Sequence, residues 1–66
     1  MKDAKRKDVE RFLLSQGYRI DRDRGPHTWW KRLGSRSVPI PRHRVISAGV
    51  LRTIEQLVGF VSDEWK

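Results

Sequence analysis

The stretch RGPHTWWKR, Arg24 to Arg32, places a Gly-Pro turn, one histidine and two adjacent tryptophans between cations. Imidazole takes and gives protons near neutral pH. An indole face stacks a nucleobase for about 1–3 kcal/mol, and Lys and Arg pair with phosphates. Side chains alternate along a strand, so His27, Trp29 and Lys31 share one face and Thr28, Trp30 and Arg32 the other. Histidine and lysine cost more to bury than threonine. The expectation is that Trp30 enters the core while His27, Trp29 and Lys31 line an open face. His27 is the candidate catalytic residue. Arg24, Gly25, Trp29, Lys31, Arg42 and His43 are the candidate substrate-binding residues around it.

One histidine without a metal suits one common reaction on nucleic acids. RNA carries its own nucleophile, the 2′-hydroxyl, beside the scissile phosphate. A base removes that proton, an acid protonates the 5′-oxygen, and cations stabilise the charge growing on phosphorus. DNA lacks this hydroxyl and usually needs metal-activated water. The chain has no cysteine and only two histidines, His27 and His43, far apart in sequence, so neither a metal centre nor another cofactor is expected. A histidine after a turn also serves simply by hydrogen bonding to backbone, and that alternative stands for both. His43, in PRHR, could instead contact phosphate or a protein partner.

Charge sharpens the choice of partner. The 66 residues carry 15 Lys and Arg against 8 Asp and Glu, a formal charge of +7. Residues 19–44 hold eight of those bases and only two acids, together with both histidines, two of the three tryptophans and all three prolines. A basic stripe interleaved with aromatics is the electrostatic footprint of nucleic-acid binding. Nothing in the sequence is apolar for long enough to span a membrane or form a signal-peptide core, which predicts a cytoplasmic protein.

The elements that must position these residues can be read from periodicity. In RKDVERFLLSQGY, Val9, Phe12, Leu13 and Gln16 form the inner stripe of a helix. Gly17 supplies a left-handed stop, and Tyr18 is placed to pack back on Leu13. YRIDRD alternates as a strand, with Tyr18 and Ile20 pointing one way and Arg19 and Asp21 the other. Arg24-Gly25-Pro26 is turn chemistry, HTWWKR a second strand, and SVPIP a third. Pro39 lacks a ladder donor, which sends that third strand to a sheet edge. A last helix begins near the N-cap Ser47, buries Val50, Leu51, Ile54, Leu57 and Val58, and ends at Gly59. Ser62 to Trp65 can start one more turn.

The result is a single α+β domain over residues 1–66 in the order α-β-β-β-α. It has a three-stranded antiparallel sheet with both helices on one face. That order resembles the double-stranded-RNA-binding domain, without its lysine-rich start to the last helix.

Several short motifs in sequence order carry a more specific resemblance: LLSQGY at 13–18, Gly25-Pro26-His27, Trp29-Trp30, VPIPRH at 38–43, and Gly49-Val50-Leu51 leading to Gly59. Over residues 5–60 the chain resembles the HicA, or YcfA-like, toxins of toxin–antitoxin systems. The resemblance implies a messenger-RNA interferase, with His27 at the family's catalytic histidine, Gly25 at its turn glycine and His43 at a histidine after the third strand. It also implies a HicB-type antitoxin as partner. Three positions depart from the pattern: Pro26 where serine is usual, Val50 where threonine is usual, and Arg44 near a common lysine. Two rival readings use the same basic face without cleavage, a non-catalytic RNA-binding module and a domain that docks an acidic protein.

Overall fold

The computed structural model describes residues 1–66. Its elements run β1 (Ala4–Lys5), α1 (Arg6–Ser15), β2 (Arg19–Arg24), β3 (His27–Lys31), β4 (Val38–Pro41), β5 (Val45–Ile46) and α2 (Ala48–Val58), with a 3-10 turn at Asp63–Trp65. Strands β2, β3 and β4 form an antiparallel meander in that spatial order, so the proline-bearing β4 is an edge strand, as its missing donors require. The α+β architecture read from the sequence holds.

Both helices stop where their glycines dictate. The Tyr18 N–H donates to the Leu13 carbonyl at 3.0 Å and the Gly17 N–H to that of Leu14 at 3.1 Å, with Gly17 at φ +88°. This pair of bonds is the Schellman ending, and the positive φ at its turn explains the glycine. Tyr18 is thereby carried into the core, where it and Leu13 are fully buried. Helix α2 opens on Ser47, whose hydroxyl accepts from the Val50 N–H at 3.4 Å, and closes at a left-handed Gly59.

One cluster of 12 buried side chains holds the molecule together. Val9 and Leu13 come from α1, Leu51 and Ile54 from α2, and Trp30, Val38 and Ile40 from a single face of the meander. Ala4, Tyr18, Ile46, Val61 and Trp65 complete it, and Phe12 meets the Trp65 ring edge-on at 5.3 Å. Within that core Tyr18 Oη and Trp30 Nε1 have no hydrogen-bond partner.

Two features depart from the sequence reading. Strands β1 and β5 form an additional two-residue antiparallel pair, Ala4 opposite Ile46 and Lys5 opposite Val45, which buries Ala4 and Ile46. Strand β2 also does not alternate evenly. Its register shifts between Ile20 and Arg22, leaving Asp21 as the extra residue of a β-bulge rather than the outward neighbour of Arg19.

Candidate functional site

The turn that presents His27 has two residues. Arg24 pairs with His27 across the β2–β3 hairpin, so Gly25 and Pro26 alone connect the strands. Gly25 lies at φ +60°, and positive φ followed by proline fits the II′ hairpin turn, whose twist matches that of the strands. A Cβ on Gly25 would meet nothing within 4 Å, so its requirement is one of backbone conformation and not of space. Proline at position 26 is compatible with the turn, and its carbonyl accepts the Arg42 N–H at 3.2 Å. That bond ties the turn to the loop after β4.

A side-chain latch reinforces the tie. Asp23 accepts the Thr28 hydroxyl at 2.7 Å and stands 3.3 Å from an Arg42 guanidinium nitrogen. The Thr28 hydrogen bond holds the Asp23 carboxyl below the ordinary aspartate value; desolvation opposes it, and the Arg42 charge and hydrogen bond add to the lowering. Thr28 pairs with Asp23 on one side and with Ile40, a core residue, on the other. The latch therefore lies on the helix side of the sheet.

The opposite face holds the residues to which the sequence assigns chemistry. His27 stands opposite Arg24 and Pro41, and Trp29 opposite Arg22 and Pro39. Directly paired residues point the same way, so Arg22 and Arg24 join His27, Trp29 and Lys31 on this face. The His27 and Trp29 rings are 6.5 Å apart at 54°. Both are half-buried, whereas Arg22, Arg24 and Lys31 are exposed. Arg24 and Lys31 have no ion-pair partner, and Arg22 has only a 3.9 Å contact with Asp21. Arg19, opposite Lys31, instead donates to the Tyr18 and Leu14 carbonyls at the end of α1. The arrangement offers a proton-transfer group, a ring for stacking and three cations on one uncovered sheet face.

The structure thus brings Arg24, His27, Trp29 and Lys31 together, with Gly25 setting the turn. Arg42 lies on the other side, engaged with Asp23. His43 is exposed in the next loop. Arg22 and Asp23 were missed from the sequence. Alternation counted from Tyr18 puts Arg19 and Asp21, not Arg22, on the outward side, a count the bulge breaks, and an aspartate four residues before a histidine gives no signal of its own. Trp30 is 2% exposed, on the core side where the alternation put it. No three His, Cys, Asp or Glu side chains converge anywhere in the chain, and no helix is long and apolar enough to cross a membrane.

No curated protein and no solved structure matches the chain. The family model for the HicA toxin of bacterial toxin–antitoxin systems matches residues 6–60. That span runs from the first residue of α1 to just past the end of α2, so it contains the meander and both helices that support it. The chain belongs to the HicA toxin family.

Proposed function

We propose that this protein is the ribonuclease toxin of a toxin–antitoxin pair, cleaving messenger RNA with His27 as an acid–base catalyst. The observation that carries this reading is the position of His27. It opens β3 from a tight turn, on the uncovered face, with Trp29 beside it and Arg24 directly across. In the proposed reaction the RNA 2′-oxygen attacks phosphorus as its proton is removed, and the P–O5′ bond breaks as the leaving oxygen is protonated. His27 supplies one of these proton transfers. Arg24, Arg22 and Lys31 stabilise the additional negative charge on the phosphorane, and Trp29 stacks a flanking base. The products are a 2′,3′-cyclic phosphate and a 5′-hydroxyl. His43 and Arg42 are peripheral in this reading.

The partner proposed is a HicB-type antitoxin that covers this face. Family membership supports an antitoxin in general terms, and the exposed cations give an acidic surface something to neutralise.

Neither hollow of the molecule includes His27. An open sheet face serves binding without cleavage equally well, which favours one alternative: a non-catalytic RNA-binding module. Incubating the pure protein with RNA in EDTA separates the two. Cleavage that disappears in His27→Ala while RNA binding persists supports the enzyme. Binding without cleavage by the wild type supports the module. In a bacterium, expression at equal levels of wild type and His27→Ala should arrest growth only with the former, and equal growth would falsify the toxin reading.

A further inference from the structure

Away from the His27 face, a cleft of about 420 Å³ opens between the start of α1 and β5, lined by Lys5, Arg6, Lys7, Glu10, Arg44 and Val45. Four cations there face one carboxylate, and none of the protein's ion pairs involves any of them. Clustered like charges without counterions repel one another and attract anions. The fold nonetheless fixes Arg6 and ties its backbone to that of Arg44. The Arg6 N–H donates to the Arg44 carbonyl at 2.8 Å, and Arg6 Nη1 donates to the Arg42 carbonyl at 2.9 Å. Val45 is the single apolar residue of the lining, so the cleft lacks the buried anchors on which protein interfaces centre. Polar, strongly positive surfaces are what nucleic-acid backbones cover.

The cleft is joined to the His27 face by the loop after β4. Pro41 pairs with His27, and the Arg42 N–H is bound to the Pro26 carbonyl. Three residues of chain from Pro41 to Arg44 span at most about 11 Å. That is short enough for one RNA strand to reach both places within a few nucleotides.

We propose that this cleft is a second phosphate site for RNA, gripping the backbone a few nucleotides from the stretch that lies over His27. The inference rests on RNA being the ligand of the His27 face, but not on that face being catalytic. Lys7 and Arg44 are exposed, and Arg44 serves the fold through its carbonyl, so Lys7→Gln/Arg44→Gln keeps the structure.

The test measures binding of a single-stranded RNA of roughly a dozen nucleotides across a salt series, in a His27→Ala background that prevents cleavage. Each lost phosphate contact lowers the slope of log affinity against log salt by about 0.7, so the double variant should lower it by about 1.4. Arg52→Gln, on the exposed side of α2, should leave the slope in place. An unchanged slope in the double variant overturns the proposal, as does an equal fall in Arg52→Gln, which would mean diffuse charge. Loss of antitoxin binding with RNA binding intact overturns it too and assigns the cleft to an acidic protein. A lowered slope with no cleavage by the wild type sinks the nuclease and leaves the cleft. Cleavage with an unchanged slope does the reverse.

Discussion

Trp29 and Trp30 are neighbours in sequence with opposite surroundings. Trp30 packs among Val38, Ile40 and the two helices. Trp29 stands between Arg22 and Pro39 on the face no helix covers. One strand therefore gives two successive tryptophans opposite environments, and the difference between them is set by period-2 geometry and not by residue type. In the proposed reading, stability and recognition are thus separated by a rotation of half a turn about one strand, not by distance along the chain.

That comparison can be broken most severely at its functional side. His27→Ala should slow RNA cleavage by about 10²- to 10⁴-fold, the usual worth of acid–base catalysis, while the thermal midpoint stays near the wild-type value. A midpoint that collapses with the rate would move His27 to the structural side. Next comes Trp30→Ala, expected to cost about 3–5 kcal/mol in denaturant titration. A domain of this size commands a margin of about 3–5 kcal/mol, so the variant should be largely unfolded. Trp29→Ala should stay folded and lose about 1–3 kcal/mol of RNA affinity. Equal destabilisation by the two tryptophan variants would erase the division between the faces.

The smallest effect belongs to the Asp23 latch. The Asp23 carboxyl titrates below its ordinary 3.8. Its contribution is therefore complete above that value and is lost as pH falls through the lowered one. Side-chain resonances of Thr28 and Arg42 should hold constant from neutrality down to the ordinary aspartate range and change only below it. In Asp23→Asn they should show no such acid transition. A transition that survives the substitution would point to a different carboxylate.

Much of this is legible in the sequence. The helices announced themselves by stripes such as Val9/Leu13 and Leu51/Ile54, and their ends by Gly17 and Gly59, because local geometry fixes both. The faces of β3 followed from alternation. The β1–β5 pair was not legible, since two-residue strands carry no periodicity and Ala4 meets Ile46 across most of the chain. The sequence places Trp65 only in a final turn, whereas the structure buries it against Phe12. The contact follows from how the chain end folds back, with the Lys2 N–H bonded to the Trp65 carbonyl. Among the site residues, Arg42 looked like a free phosphate ligand because nothing in PRHR reveals its distant partner Asp23.

The bulge at Asp21 has a consequence for the sign of the potential over His27. Counted by twos from Arg19, an unbroken β2 would present Asp21 and Asp23 on that face. With Asp21 dropped from the count, Arg22 and Arg24 stand there instead. Two negative charges are exchanged for two positive ones, a swing of four, with composition untouched. The polarity of the face is thus stored in the parity of one strand. One residue inserted between Asp23 and Arg24, with the turn unchanged, would set Asp23 opposite Trp29 where Arg22 now stands.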